Sequence, residues 1–308
     1  MGLFSGSATI YDLPNYVGEL FNVSPAETPF LTMMGGLTGG TSSQSSTIQW
    51  QTVDNAAAAQ PAILENAAPV NTERTRANVT NQLQIFQEGV SVGWSKESYT
   101  SNLSGASILG TQPVQNEMDF QLTLALERIA RNAEYTCLQG AYQLPTDNTT
   151  ARKTRGMIPA VTTNAVAAAS ARLSKTHLQA LWKAMADSRA RFSQLVVFAN
   201  AFQIQQLTDI YAYAPQDRMI GGVAIKQILM DFGSVGIAWD PFMPTDTVLA
   251  AEMSVVKPRI AVHPTNGSFF LKEMGVTKSA TEYQLYGELG LEYGPEQWHG
   301  KITGLATS

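Results

Sequence analysis

Not one lysine or arginine occurs in the first 73 residues of this 308-residue chain; the first cation is Arg74. A polyanion grip built on clustered cations is excluded from that stretch, and a net charge of -5 at pH 7 advertises none elsewhere. Cysteine is almost absent as well. Cys137 is alone and cannot form an intrachain disulfide, and its apolar neighbours make it a small core side chain. No window approaches the roughly 18 consecutive apolar residues of a membrane span, and no basic segment followed by an apolar run opens the chain. Neither a spanning helix nor a standard secretion signal is expected. His177, His263 and His299 are scattered along the chain, which suits satisfied or exposed side chains. Gly-x-Ser-x-Gly, His-Glu-x-x-His, a phosphate loop ending in Gly-Lys-Ser/Thr and ligands at zinc spacing are all missing. Asp231-Phe232-Gly233 imitates a kinase magnesium motif without the His-Arg-Asp loop that would give it meaning. Glu288 and Glu292 could share one strand face, but paired carboxylates without a pocket are usually a solvated face. The chain reads as a non-enzyme, with no catalytic, cofactor-binding or metal-ligating residue to name.

What is present is organised around residues 113–139. Val114, Met118, Leu122, Ala125, Ile129 and Ala133 fall on one side of a helix, and Leu126, Ala130 and Cys137 widen that stripe. Glu117, Glu127, Arg128, Arg131 and Glu134 lie opposite, on a face expected to be solvated. Pro113 suits the first helical position, and Gly140 with Pro145 ends the run. At about 1.5 Å per residue the helix would be about 40 Å long, a strut rather than an ordinary bundle member.

Before the helix lie an arm and a long loop. Pro14 to Phe21 forms two helical turns, and Ser24-Pro25-Ala26-Glu27 has the pattern of a capping box that opens a second short helix toward Met33 and Met34. Gly35, Gly36, Gly39, Gly40 and the serine-rich residues 41–46 read as flexible linker. Leu13, Tyr16, Val17, Leu20, Phe21, Phe30 and Leu31 exceed what two short helices can bury between themselves, so they must dock on this subunit or a neighbour. Residues 47–53 and 79–94 alternate as two long strands, with Ile48, Trp50 and Thr52 on one side of the first and Val79, Asn81, Leu83 and Ile85 on one side of the second. Residues 54–78, including four consecutive alanines, are far too long for a hairpin turn and are expected to project toward another chain. Residues 1–45 and this tip are thus expected to bury their apolar groups only in an assembly. Arg74 and Arg76 stand at the base of the loop and suit carboxylates of an adjacent subunit, because a guanidinium holds a carboxylate at two points.

After the helix, Arg152, Lys153 and Arg155 cluster without aromatics, too weak a signal for a nucleic-acid site. Residues 173–257 read as one α/β module. It holds a Ser174-capped helix with Leu178, Leu181, Trp182 and Met185 inward, a buried strand at 195–198, a helix capped by Asn200 and Gln203, and strands at 223–230, 235–239 and 247–251. From Ser268 the pattern is strand again, at 269–271, 281–293 and near 301–305.

That order resembles the major capsid proteins of tailed double-stranded DNA bacteriophages, the Hong Kong ninety-seven-type fold, over essentially the whole chain. Three stretches look like phage major head proteins of about this length: Asn15-Tyr16-Val17-Gly18-Glu19 leading to Ser24-Pro25-Ala26-Glu27-Thr28-Pro29-Phe30, then Thr154-Arg155-Gly156, then Glu288-Leu289-Gly290-Leu291-Glu292-Tyr293. The resemblance implies an α+β fold with an N-terminal arm at 1–45, an extended loop at 46–96, a peripheral domain at 97–172 and 258–308 carrying the spine helix 113–139, and an axial domain at 173–257. It implies self-assembly into hexamers and pentamers of an icosahedral head, built in the bacterial cytoplasm and enclosing double-stranded DNA; the mild net charge adds the expectation that this DNA is contacted weakly and without base readout. No cofactor and no membrane are implied. Further partners would be a portal protein, a separate scaffolding protein and decoration proteins. Tyr16, Phe21, Phe30, Trp50, Arg74, Arg76, Arg152 and Arg155 are the candidate intersubunit contacts. The lysine to asparagine cross-link of the type member is not carried over, since Lys96 is the only lysine before the spine and no motif marks its partner. An encapsulin-like compartment of the same fold is the alternative, followed by a tail or receptor-binding module.

Overall fold

The computed structural model describes residues 27–55, 58–60, 62–69, 71–96, 117–211, 217–220, 223–230 and 232–307. Tyr16, Phe21, the expected helix at 14–21, residues 97–111 and the expected helix start at 113–116 lie outside them. In chain order the elements begin with α1 (Pro29–Met34), β1 (Thr41–Ser43), β2 (Thr47–Thr52), β3 (Ala77–Gln82), β4 (Gln84–Gly93) and α2 (Glu117–Gln139). There follow α3 (Met157–Ala160), β5 (Ala165–Ala167), α4 (Lys175–Asp187), β6 (Leu195–Ala199), α5 (Ala201–Ile210), β7 (Asp217–Ile220), β8 (Val223–Met230) and β9 (Gly233–Trp239). The chain closes with β10 (Val248–Glu252), β11 (Lys257–Ala261), β12 (Phe269–Thr277), β13 (Ala280–Glu292) and β14 (Gly300–Thr303). Among the described residues no helix is long and apolar enough to cross a membrane. The larger of two units takes Ala26–Gln87, Arg128–Phe270 and Tyr286–Ser308, so the division falls inside α2.

A seven-stranded mixed sheet of the larger unit has the order β5-β14-β10-β6-β9-β8-β7. β6 and β10 are buried at every residue, which explains why Leu195–Ala199 reads as a continuous apolar run instead of an alternation. α4 lays Leu178, Leu181, Trp182 and Met185 onto this sheet against Val197, Ala250 and Ile302. Its start is set by Ser174, whose Oγ accepts the His177 N–H, and Asn200 Oδ1 accepts the Gln203 N–H at 2.9 Å to start α5. The strand at the C-terminal end does not stay with the terminal set: β14 pairs antiparallel with β10 and parallel with β5. His299, just before it, is fully buried, with Nδ1 accepting the Glu252 N–H at 3.1 Å and Nε2 donating to the Tyr293 carbonyl at 2.6 Å. Burial drives its pKa down to about 4, so the ring is a neutral structural tie.

Three expectations change at the N-terminal side. The run at 79–94 is two strands, not one: β3 pairs with β2 in a two-stranded sheet, whereas β4 pairs with β13. Asn81, Gln82 and Leu83 are all buried in succession, and no single strand with one solvated face can do that. The phase slips there, so Ile85 is exposed while Phe86, Val90 and Val92 are buried. The serine-rich linker begins as β1, in parallel register with β11 from Thr41↔Arg259 to Ser43↔Ala261. Gly40 permits this, because a Cβ there would lie 2.5 Å from the Pro258 carbonyl oxygen. Finally, the second short helix starts at Pro29, with Thr28 in the cap position making no side-chain cap bond. Phe30, Leu31, Met33 and Met34 are buried within the subunit, which corrects the expectation that residues 1–45 bury their apolar groups only in an assembly.

The long helix keeps its apolar stripe at Ala125, Ile129, Ala133 and Cys137, but Leu126 is 45% exposed and the polar face is not uniformly solvated. Glu134 is fully buried and Glu117 nearly so. Glu117 is held by Lys96 and Gln121, which overcome its burial and lower its pKa. Glu134 is covered by α1, whose Phe30 and Leu31 N–H groups donate to its carboxyl. Helical periodicity reports one packed side, and it cannot show that a second element covers the other.

Candidate assembly surface

β2 and β3 pair antiparallel from Thr47↔Gln82 to Thr52↔Ala77. Every described residue from Val53 to Asn78 is exposed. Val53, Ile63 and Leu64 are 64%, 68% and 85% exposed, and the adjacent pair Ile63-Leu64 is the kind of exposed apolar group a contact would cover. A turn at Leu64–Ala67 closes with the Ala67 N–H on the Leu64 carbonyl at 3.0 Å, and Asn66 takes the left-handed φ of 69° that asparagine tolerates. Arg76 reaches across the ribbon to Gln51 Oε1 at 3.2 Å, and Arg74 is exposed. Among the described residues, these two are the exposed members of the expected contact set.

The root of the ribbon is the opposite case, buried and fully bonded. Asn81 Nδ2 donates to the carbonyls of Arg155 at 3.1 Å and Leu291 at 2.7 Å, while its Oδ1 accepts the N–H groups of Gln82 at 2.9 Å and Arg155 at 2.7 Å. Thr154 Oγ1 accepts the Leu291 N–H at 3.2 Å. Three separate sequence stretches, Asn81 on the ribbon, Thr154-Arg155-Gly156 after the long helix and Leu291 near the end, therefore converge on one amide side chain. Gly156 is required by the same packing: a Cβ there would lie 2.6 Å from the Gly140 nitrogen and 2.7 Å from the Leu138 carbonyl oxygen. Asn81 was not singled out from sequence, yet an asparagine on the apolar side of an alternating strand was the available signal.

The other candidates are engaged within the subunit. Trp50 donates its indole N–H to the Gly294 carbonyl at 2.9 Å and stands edge-on to Tyr293 at 4.8 Å. Arg152 pairs with Glu288 at 2.6 Å, and Tyr286 donates its hydroxyl to the same carboxylate. Burial, and then Glu288, push the Tyr286 phenol up to about 12. Arg155 lies 4.6 Å over the Tyr142 ring and donates to the Tyr293 hydroxyl at 3.4 Å. Arg259 pairs with Glu292. Glu288 and Glu292 are thus not a solvated carboxylate pair, since each is neutralised by its own arginine. Phe30 is 0% exposed and stacks edge-on with Phe198 at 5.2 Å, inside the subunit's own core.

A bare apolar loop on a rigid root suits a protein that overlaps copies of itself, and the family comparison is decisive. The model of the SU10 major capsid protein family matches residues 3–306. The chain belongs to the SU10 major capsid protein family. Its place is therefore the capsid shell of a virion. No curated protein matches the sequence. Among solved structures, the cyanophage A-1(L) capsid asymmetric unit is similar with a TM-score of 0.64 at 11% identity, covering 96% of this chain and 98% of that one. The capsid of a native GTA particle gives 0.63 at 11% identity over 98% and 99% of the two chains. A holo-SrpI encapsulin complex from Synechococcus elongatus gives 0.61 at 11% identity over 97% and 94%. Fold similarity alone does not separate capsid from encapsulin. The family match does, in favour of the capsid.

Proposed function

We propose that this capsid protein closes into hexamers and pentamers of an icosahedral head that encloses the double-stranded DNA of a tailed phage, with no catalytic activity of its own. The observation that supports this reading is the exposed segment between β2 and β3 with its bare Ile63-Leu64 pair, carried on a root where the buried Asn81 amide makes four hydrogen bonds. In this reading residues 173–257 form the axial domain at the ring centre, residues 97–172 and 258–308 with the spine form the wall, and residues 46–96 form the overlapping loop. Portal, scaffolding and decoration proteins are further proposed partners. Each contact is modest, and repetition over all copies makes the shell stable. Electron microscopy of the purified, assembled protein tests the reading: closed shells support it, and trimers or small rings would refute it. DNA binding should be weak and salt-sensitive, because a wall that gripped phosphate would resist a sliding genome. A nanomolar affinity for duplex DNA at physiological salt would overturn that part.

The proposed intersubunit contacts narrow to Arg74 and Arg76, together with Tyr16 and Phe21 of the arm. Trp50, Arg152 and Arg155 brace the wall, as their internal partners suggest. Reversal of charge at both arginines, Arg74→Glu with Arg76→Glu, is expected to lower particle yield at least ten-fold and leave the circular dichroism of the subunit unchanged. Unchanged yield in a sedimentation assay would return both to ordinary surface charge.

A further inference from the structure

Three elements meet at one buried point of the larger unit. α2 brings Glu134, the turn after β9 brings Asp240, and α1 brings the N–H groups of Phe30 and Leu31, which donate to Glu134 Oε1 at 2.8 Å and Oε2 at 2.6 Å. Glu134 and Asp240 are both 0% exposed. The two carboxyls act on each other directly, and because two carboxylates offer only acceptors, a hydrogen bond between them requires a proton. Asp240 Oδ1 is satisfied by the Phe242 N–H at 2.8 Å, whereas Asp240 Oδ2 is buried with no hydrogen-bond partner. A proton on Glu134 supplies it. Among the described residues no further charged group shifts either carboxyl: α1 is Pro-Phe-Leu-Thr-Met-Met, with no titratable side chain, and Cys137 on α2 stays a neutral thiol, raised by burial and then by Glu134.

We propose that the proton shared by Glu134 and Asp240 is a clasp that docks α1 on the subunit body, and that its loss at alkaline pH releases α1. Without the proton, two negative charges would stand side by side in the protein interior, and neither could be hydrated in place. Opening to water relieves both the repulsion and the desolvation. The opening must begin at α1, because its Phe30 and Leu31 amides cap the carboxyl and the Phe30 ring is sealed against Phe198 by the same backbone. The core strand β6, Leu-Val-Val-Phe-Ala and buried at every residue, carries no titratable side chain to act as such a trigger.

The sign follows from burial, which with the Asp240 charge raises Glu134 from an ordinary carboxyl value of 4.5 to about 9. A group raised in the docked state contributes stability that is complete below its ordinary pKa and is lost as the pH rises through the docked value. Undocking therefore becomes up to about ten-fold more favourable per pH unit between about pH 5 and about pH 9, and levels off above.

Amide hydrogen exchange of the full chain, corrected for the intrinsic rate and followed from about pH 6 to about pH 10, tests this. In the unaltered protein, protection at Phe30 to Met34 should fall by up to about ten-fold per pH unit below about pH 9, while protection in β6 stays constant. Glu134→Gln cannot ionise, and its amide can donate to Asp240 only by giving up one of the two oxygens that accept the Phe30 and Leu31 N–H groups, so protection at α1 should be lower throughout but flat with pH. Asp240→Asn removes the second charge and donates to Glu134, and should be flat as well, which keeps the test decisive if the first variant does not fold. A flat profile in the unaltered protein, the original slope in a folded variant, or loss of β6 protection in step with α1 would each overturn the clasp.

Discussion

A subunit in which residues 54–75 are replaced by Asn-Gly will fold normally and will form no closed shells. The splice respects the register of the ribbon: Thr52 pairs with Ala77, so Val53 and Arg76 come to flank a two-residue turn of the type that suits twisted antiparallel strands. Every described residue removed is exposed, so the subunit loses no core. What is lost is Ile63 and Leu64, each able to contribute about 1.5 to 3 kcal/mol on full burial against a neighbour. In one contact that is minor; multiplied over every copy it moves the critical concentration for assembly far beyond reach. Far-ultraviolet circular dichroism reads the fold, and sedimentation reads the particles. Unfolding would place the segment in the subunit's own core, and full-sized shells would make it a mere insertion.

Asn81→Leu should be among the most damaging single substitutions at the ribbon root, with a loss of about 3 to 4 kcal/mol of stability in a urea titration of the subunit. The side chain of similar size fills the space but bonds to nothing. It strands the N–H groups of Gln82 and Arg155 and removes donors from the Arg155 and Leu291 carbonyls, all at a fully buried position. Asn78→Leu, on the same strand but exposed, should change stability by less than about 0.5 kcal/mol. A loss below about 1 kcal/mol at Asn81 would show that the ribbon is held by its apolar neighbours instead. Shell assembly offers a second reading of the same change, because a ribbon loosened at its root presents its tip over a range of angles.

Local patterns in this chain were legible wherever one face of an element meets one neighbour. The stripe on α2 from Ala125 to Cys137, the inward residues of α4, the caps at Ser174 and Asn200 and the glycine-punctuated strands β8 and β9 are of this kind. The exposed segment between β2 and β3 was also legible, since its length rules out a hairpin turn.

Tertiary structure decided what depends on two partners at once. Glu134 reads as a surface charge from its helical position, and only the docking of α1 and the approach of Asp240 make it a buried acid whose pKa is pushed up. Arg152 and Glu288 read as separate surface charges 136 positions apart, until strand β13 brings the second beside the first. Asn81 draws together backbone groups from positions 155 and 291, and the break between β3 and β4 follows from that convergence. Periodicity records the number of faces an element buries, because it arises from local geometry; which distant backbone or charge covers those faces is settled by chain topology, and no local pattern encodes it.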